Sequence, residues 1–501
     1  MLIATKTENK GWYEMTITIN YEIDNMPITD FSEMEEEMYQ MSLAAGREAM
    51  RQWLEIRDRS IMAERDTERY RNKGTRATNI KTKLGVVEYE RRVYVDQESR
   101  EQRCCYLLDE ELNIKRIGQV SSSVCEIIAG AICTGSYRTV SHQLTEMTGC
   151  DLSPMGVWNI VQELGQREMS RVDRKAELVA MNAPIGEVET PILYEEADGI
   201  YLGLQGESRK RHGKSKEMKV GIAYDGATWN VNRKGEKRRI LHNKTAYASF
   251  ETVKEFRKHN EAVISSQFLM DSVEMVVRNG DGANWIQSVQ TPEKEDVIVC
   301  LDAFHRNKKI LECIRDREFA KTLRSMFYEE STEPEDVLEC IEAQINSVED
   351  EEEKIGLKTV LDYYSDNKGA LLGYYDRGIE IPETREPGVI HHARLGSMES
   401  NVFTLIGDRM KGGRRTWSIS GGNNLALLLV LFHTVGLKTL FDAPVPLPDQ
   451  EPEWVDEGKP LLHWENPQRV GHGYEYYNSG KIIVDYLDQI QNIDISVSKF
   501  L

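Results

Sequence analysis

No stretch of this sequence is long and apolar enough to cross a bilayer as a helix. The longest apolar run, Leu425–Phe432 (LALLLVLF), falls far short of the roughly 20 residues such a helix needs and reads as a buried helix. No CxxC pair occurs among the eight cysteines, Cys104, Cys105, Cys125, Cys133, Cys150, Cys300, Cys313 and Cys340. The spacing that structural zinc sites use is therefore absent. Several of them lie in apolar stretches (VCEIIAGAIC, VIVCLDAF), which fits buried reduced thiols in a cytosolic chain. The opening, MLIATKTENKGWYEM, lacks a basic segment followed by an apolar one, so no secretion leader is expected. An excess of positive charge is missing too: 63 Lys and Arg face 83 Asp and Glu, a formal charge of −20. Proteins bound mainly to nucleic acid usually carry the opposite sign, so any such role must come from local basic patches. With 14 Pro and 36 Gly, and with 40% hydrophobic residues, collagen-like, low-complexity and mainly disordered classes are excluded. The length of 501 residues corresponds to about three or four domains.

What is present begins with helix. Residues 30–70 carry Met34, Met38, Met41, Ala45 and Met50 at helical spacing with charges on the other face. That is the pattern of a helix packed on a neighbour or a second subunit. Ile80–Val95 alternates as β structure with a turn at Gly85, and Val120–Ile132 reads as an apolar helix. A two-helix unit follows. Its first helix is Tyr137–Thr148 and its turn Gly149–Leu152. Ser153 caps the second helix and Pro154 is its first residue. Met155–Leu164 then turns Val157, Ile160, Val161 and Leu164 inward. Two short helices around a Gly-containing turn are the helix-turn-helix pattern, which structural hairpins share; the nearby basic residues, Arg138 and His142, are few.

Past residue 190 the pattern turns to strands: Thr190–Gln205, Met218–Asp225 and Arg239–Phe250, then a helix over Thr252–Asp271. Strand Val273–Arg278 runs into Asn279-Gly280-Asp281-Gly282. A short helix near Ala283–Gln290 leads to strand Asp296–Leu301, which ends at Asp302. A β-β-β-α-β-α-β order belongs to a mixed α/β sheet of the ribonuclease-H kind. Residues 311–395 read as helical and acidic, with twelve acids and no Lys or Arg from Glu329 to Glu353, a run that a solvated helix face also produces. Helix returns near Gly396–Met410 and Gly422–Leu437, and residues 443–460 are a Pro- and acid-rich linker or arm. The expected organisation is an N-terminal α+β region (1–110), a helix-turn-helix-like DNA-binding region (111–180), a ribonuclease-H-like core in two parts (181–310 and 396–440) around an acidic all-α insertion (311–395), and a C-terminal arm (441–501).

Acids on and after strands are the chemical lead. Asp198 lies mid-strand among Ile192, Leu193, Ile200 and Leu202, where a carboxylate is costly unless it meets a metal or a partner. Asp281 stands between two glycines just past a strand. Two such acids on neighbouring strands can share divalent cations, and Mg²⁺ prefers oxygen ligands and keeps waters for a substrate; both acids can equally cap turns. The third acid must come from a helix packed on the sheet. Glu399 is the candidate, with Met398, Val402 and Leu405 as the inward face and Arg409, Lys411, Arg414 and Arg415 following. In CLDAFHRNKK, Asp302 and His305 are three apart and share a face if a helix starts there. His305 then either positions a phosphate or scissile oxygen, with Arg306, Lys308 and Lys309 beside it, or simply bonds Asp302. Between Gly206 and Lys244 twelve Lys and Arg oppose four acids, and Arg209, Lys210, Arg211 and Lys214 stand in the hairpin beside the Asp198 strand, a candidate DNA contact.

The segments EADGIYL, GDGANWI, LDAFHRNKKI and GSMESN…DRMKGGRRTWS, in this order, resemble the ISLre-two group of bacterial insertion-sequence transposases. The resemblance extends over nearly the whole chain. The group is related to Mutator-type DDE transposases, which have one Asp, a second Asp followed by a Cys/Asp-x-x-His motif, and a Glu beyond a helical insertion. This implies Asp198 and Asp281 as the two acids, Glu399 as the third, Asp302-Ala303-Phe304-His305 as the motif and residues 311–395 as the insertion. Asp stands at 302 where relatives often have Cys. The resemblance implies a DNA transposase that uses Mg²⁺, with Mn²⁺ as an alternative, held by Asp198, Asp281 and Glu399 with His305 assisting. It would cut at the element ends and join the freed 3′ end to target DNA. The implied partners are double-stranded DNA and a second copy of the chain, with no membrane, in the bacterial cytoplasm at the nucleoid. Two rival readings are a ribonuclease-H-like nuclease or resolvase without strand transfer, and a catalytically inactive DNA-binding remnant.

Overall fold

The structure, a computed structural model, describes residues 30–441 apart from 100–103, 115, 118, 184, 232–234, 236, 283–296, 330, 383–385 and 391–394. The joining helix expected near Ala283–Gln290 and the C-terminal arm lie outside the described residues. The protein is mixed α/β and divides into two compact units between Glu163 and Leu164. No helix among the described residues is long and apolar enough to cross a membrane.

In the first unit, α1 (Phe31–Glu64) packs on a hairpin of β1 (Tyr70–Thr82) and β2 (Gly85–Asp96). Leu54, Ile61, Ile80, Val87, Tyr89 and Leu108 form their shared core. Gly85 takes φ +107°, a left-handed conformation that a Cβ disfavours, and so closes the hairpin. Only part of the methionine stripe on α1 is buried: Met34 and Met38 are exposed, whereas Met50 packs on the core. Short strands β3 (Cys104–Cys105), β4 (Arg116–Ile117) and β5 (Val120–Ser121) extend this sheet, and α2 (Leu107–Glu111) packs on it. Helices α3 (Ser122–Thr134) and α4 (Tyr137–Thr148) follow, and Gly149, at φ +67°, ends α4. The Ser153 hydroxyl accepts from the Gly156 amide at 3.1 Å, and Pro154 opens α5. That helix runs for 27 residues, Pro154–Ala180, rather than stopping near Leu164. Gly165 does not stop it there, and buried Val172, Ala176 and Leu178 carry its apolar periodicity onward.

The second unit is built on a five-stranded sheet. Its strands are β6 (Ile192–Gly203), β7 (Ser215–Tyr224), β10 (Thr245–Ser249), β11 (Met275–Gly280) and β12 (Val297–Leu301), in the spatial order β10-β7-β6-β11-β12. β7 is antiparallel to both β6 and β10, while β11 is parallel to β6 and to β12. The expected single strand over Arg239–Phe250 is two. β9 (Lys237–His242) pairs with β8 (Gly226–Val231) in a separate ribbon, and β10 joins the main sheet. Asn243, at φ +46°, makes the break and donates its side-chain amide to Asp225 Oδ2 at 2.9 Å. The expected hairpin between β6 and β7 contains a short helix, α6 (Gly206–His212).

Helix α7 (Val253–Gln267), started by a Thr252–Glu255 capping box, and α13 (Ile419–His433) pack against β10. α13 contains the LALLLVLF run, and Leu425 to Leu431 are all buried. Helices α8 (Ala303–Cys313), α9 (Arg317–Met326), α10 (Pro334–Ser347) and α11 (Glu351–Asp366) enclose Leu301, Ile310, Leu323, Ile341, Val360 and Tyr364; beyond them Ile390 makes a β-bridge with Ala227. Helix α12 begins at Met398–Val402, widens into a π turn over Phe403–Gly407 and ends at Asp408–Met410. Met398, Val402 and Leu405 are buried and α12 packs on β6, as read from the sequence.

Candidate metal centre

Strand alternation puts Glu196, Asp198 and Ile200 on one face of β6. β11 lies parallel to β6 with Asn279 opposite Glu196, so the next turn delivers Asp281 towards Asp198. β12 ends beside Gly280 and feeds Asp302 into the start of α8. Ligand atoms of Asp198, Asp281 and His305 lie within 4.8 Å of one another. Two carboxylates and one imidazole nitrogen at that separation can hold a divalent cation.

The residues beneath this group fix it. Asp302 caps α8 by accepting from the Phe304 and His305 amides at 3.1 and 3.2 Å, and its Oδ2 also meets His305 Nδ1 at 3.1 Å. With Nδ1 held there, Nε2 is the nitrogen left for a ligand, the usual arrangement behind a metal-binding histidine. Asn279 Nδ2 donates to Asp302 Oδ1 at 3.1 Å and to Glu196 Oε2 at 2.8 Å, and the Tyr224 hydroxyl donates to Glu196 Oε1 at 2.7 Å. Glu196 is 1% exposed, and burial pushes its carboxyl up against the bonds from Tyr224 and Asn279. Burial also pushes Asp198 up, with Asp281 and Asp302 adding to it against a bond from the Gly199 amide and the charge of His305. Asp302 is pushed up by burial, yet its bonds to His305 and Asn279 outweigh that and hold it below the ordinary carboxylate range. His305 is raised, first by its bond to Asp302 and then, against burial, by Asp198.

Glu399, the expected third acid, stands outside this group. It lies exposed in the first turn of α12 and is not among the residues gathered with Asp198 and Asp281. The group that does gather holds two carboxylates and a histidine. The helix itself is placed by packing and polar contacts. Gly407 lies against Ile200, where an added Cβ would be 3.4 Å from Ile200 Cδ1, and Arg239 and Lys244 bond Ser397 and Asn401 at 2.9 and 3.2 Å. The π turn begins at Phe403, one helical turn after Glu399, and such turns recur at functional sites.

Two expected DNA contacts are also corrected. Arg306 is 1% exposed, its guanidinium 3.8 Å from the Phe327 ring centroid and bonded to the Leu371 carbonyl at 2.9 Å. Arg409 is buried, with its guanidinium 5.4 Å from the Trp417 ring centroid. Arginine's planar cation stacks on rings, which sequence charge counting does not reveal. The other cations are accessible to different degrees. Arg209, Lys210, Arg211, Lys214, Lys308, Lys411, Arg414 and Arg415 are exposed, and Lys309 is half-buried. The 411–416 loop and the α6 segment are stitched together. The Gln205 amide donates to the Trp417 carbonyl at 2.9 Å, the Ile419 amide to Ser208 Oγ at 3.0 Å, and Thr416 to Gln205 Oε1 at 3.3 Å. Two basic segments about 200 residues apart in sequence thus form one surface.

A second grouping, Asp225, His242 and Glu386, also has ligand atoms within 4.8 Å. Its ring lies between the two acids, Nδ1 at 2.9 Å from Asp225 and Nε2 at 3.4 Å from Glu386, so both ring nitrogens already face carboxylates of the group. No sequence signal marked it, nor Glu196, Asn279 and Tyr224.

Residues 26–439 match the family described as the uncharacterised protein family UPF0236. The chain belongs to that family. No curated protein matches it. The family match runs through both units and spans every residue of the centre, Asp198, Asp281, Asp302 and His305 included.

Proposed function

We propose that this UPF0236 protein is the DNA transposase of an insertion sequence, of the ISLre-two type, with a ribonuclease-H-like core. The observation that carries the reading is the convergence of Asp198, Asp281 and His305 where neighbouring parallel strands β6 and β11 meet the start of α8. The strand order supports it. Numbered along the chain, the sheet is 3-2-1-4-5 with the second strand antiparallel, the arrangement that the β-β-β-α-β-α-β reading implies. Asp198, Asp281 and His305 would hold Mg²⁺ or Mn²⁺, and such an ion supplies activation of water and stabilisation of the leaving oxygen in phosphodiester cleavage. Asp302 and Asn279 hold the imidazole of His305 in one orientation. The joined α6 and 411–416 surface offers exposed cations to a phosphate backbone, and the hairpin of α4 and α5 is a second candidate for duplex contact. Two element ends must be handled together, so two or more copies act on DNA.

Asp198→Asn removes a charged ligand with almost no change in volume. It is expected to abolish divalent-cation-dependent cleavage of an element-end duplex while leaving duplex binding in a gel-shift assay unchanged. Retained cleavage would remove Asp198 from the centre. A second reading, a DNA-binding protein without catalysis, follows from Glu399 standing outside the group that Asp198, Asp281 and His305 form. Incubation with a pre-cut element end and a second duplex separates the readings. Joined product supports the transposase. Cleavage without joining supports a nuclease or resolvase, and binding alone supports the inactive protein.

A further inference from the structure

The acidic insertion touches the centre. Tyr363, in α11, donates its hydroxyl to the Asp281 carbonyl oxygen at 2.7 Å. Asn367, at the end of the same helix and 6% exposed, lies against the next residue, Gly282. A Cβ built on Gly282 would sit 2.7 Å from Asn367 Oδ1, and Gly282 already has φ +87°, so the turn admits only glycine with Asn367 in place. Asn367 Nδ2 in turn donates to the Tyr363 carbonyl at 2.8 Å, tying the two contacts together.

The block that makes these contacts also carries His305. The Tyr364 hydroxyl donates to the Arg306 carbonyl at 3.0 Å, and Arg306 reaches the Leu371 carbonyl, so α8 and α11 belong to one packed body. Asp198, by contrast, is rooted in the sheet. The centre is therefore shared: its first acid belongs to the strands, its histidine to the helix on which the insertion packs, and its second acid to a turn that the insertion grips from outside.

We propose that Tyr363 and Asn367 are positioning residues for Asp281, and that divalent-cation binding at Asp198, Asp281 and His305 depends on α11 being docked on the Asp281–Gly282 turn. The inference rests on the cation-site reading above. Tyr363 acts through the peptide of Asp281, not on a ligand. Its hydroxyl fixes the plane of that peptide, and the plane sets where the Asp281 carboxylate points. An insertion lifted from the turn removes the bond that fixes this peptide, and the site loses its cation before any grip on DNA is released.

Mn²⁺ titration of the full-length protein, followed by the paramagnetic resonance of free Mn²⁺, tests this without any turnover. Wild type is expected to bind and Asp198→Asn to lose binding. Tyr363→Phe, which removes one oxygen, is expected to weaken Mn²⁺ roughly tenfold, the lower end for removal of an outer partner at a metal site, with little change in melting temperature. Asn367→Ser, which opens the space against Gly282, is read in the same way. Should both variants keep wild-type affinity while Asp198→Asn loses it, the positioning role is overturned and the cation site stands. Equal binding by wild type and Asp198→Asn overturns the cation site and the positioning role together.

Discussion

His259 shows what a single side chain in this molecule can be asked to do. It is 5% exposed, with Nδ1 at 3.1 Å from Glu251 and Nε2 at 3.1 Å from Asp173. Burial pushes the ring towards its neutral form, but Glu251 and then Asp173 outweigh it against the charge of Lys258, leaving the pKa above its ordinary 6.5. A raised folded value means that the charged ring stabilises the fold fully below the unfolded pKa, and that this contribution fades as pH rises through the folded value. His259→Gln is therefore expected to lower the melting temperature most at about pH 5.5 and much less at about pH 9. A deficit independent of pH would show that packing, not charge, is what His259 contributes. At this scale the sequence was legible where chemistry follows local spacing. Asp198 among apolar neighbours, Asp281 between glycines and Asp302 three residues before His305 all stand where their strands and helix put them. Glu196, Asn279 and Tyr363 were not legible, because their partners come from strand register and from a helix 82 residues away. Arg306 and Arg409 misled for the complementary reason: residue type announces a cation, and only tertiary structure supplies the ring that covers it.

Helices and strands were read more reliably than their lengths. Tyr137–Thr148 has the bounds its sequence pattern gives, with Gly149 as the stop. α5 outran its reading because a helix ends only where something ends it. Gly165 lies inside it, and its reason is a neighbour: a Cβ there would be 2.4 Å from Asn424 Cβ and 2.6 Å from Asn424 Cα of α13. An Ala for Gly exchange in an open helix stabilises by roughly 0.5–1 kcal/mol. Gly165→Ala is expected to do the reverse, at about 1–3 kcal/mol, since it must push two helices apart. Urea unfolding midpoints measure the sign, and a stabilised variant would mean that α5 and α13 do not touch. The split of Arg239–Phe250 into β9 and β10 was hidden because Asn243 and Lys244 interrupt an otherwise continuous β pattern by only two residues.

For the whole molecule, an overall charge of −20 coexists with a surface of exposed cations on α6 and the 411–416 loop. If that surface meets duplex DNA, exchanging Arg209, Lys210, Arg211 and Lys214 for Ala lowers affinity and flattens its salt dependence by about 0.9 in log–log slope for each phosphate no longer neutralised. Binding measured from low to high KCl gives that slope, and an unaltered one would exclude the surface. Separation in the chain has a further outcome. Asp281 emerges from the ribosome 82 residues ahead of Tyr363. At about 5–20 residues per second that interval is on the order of ten seconds. Through those seconds the newborn polypeptide owns both aspartates but not the tyrosine that bonds the second, so on the positioning role proposed for Tyr363 the cation site matures only once the insertion has been made.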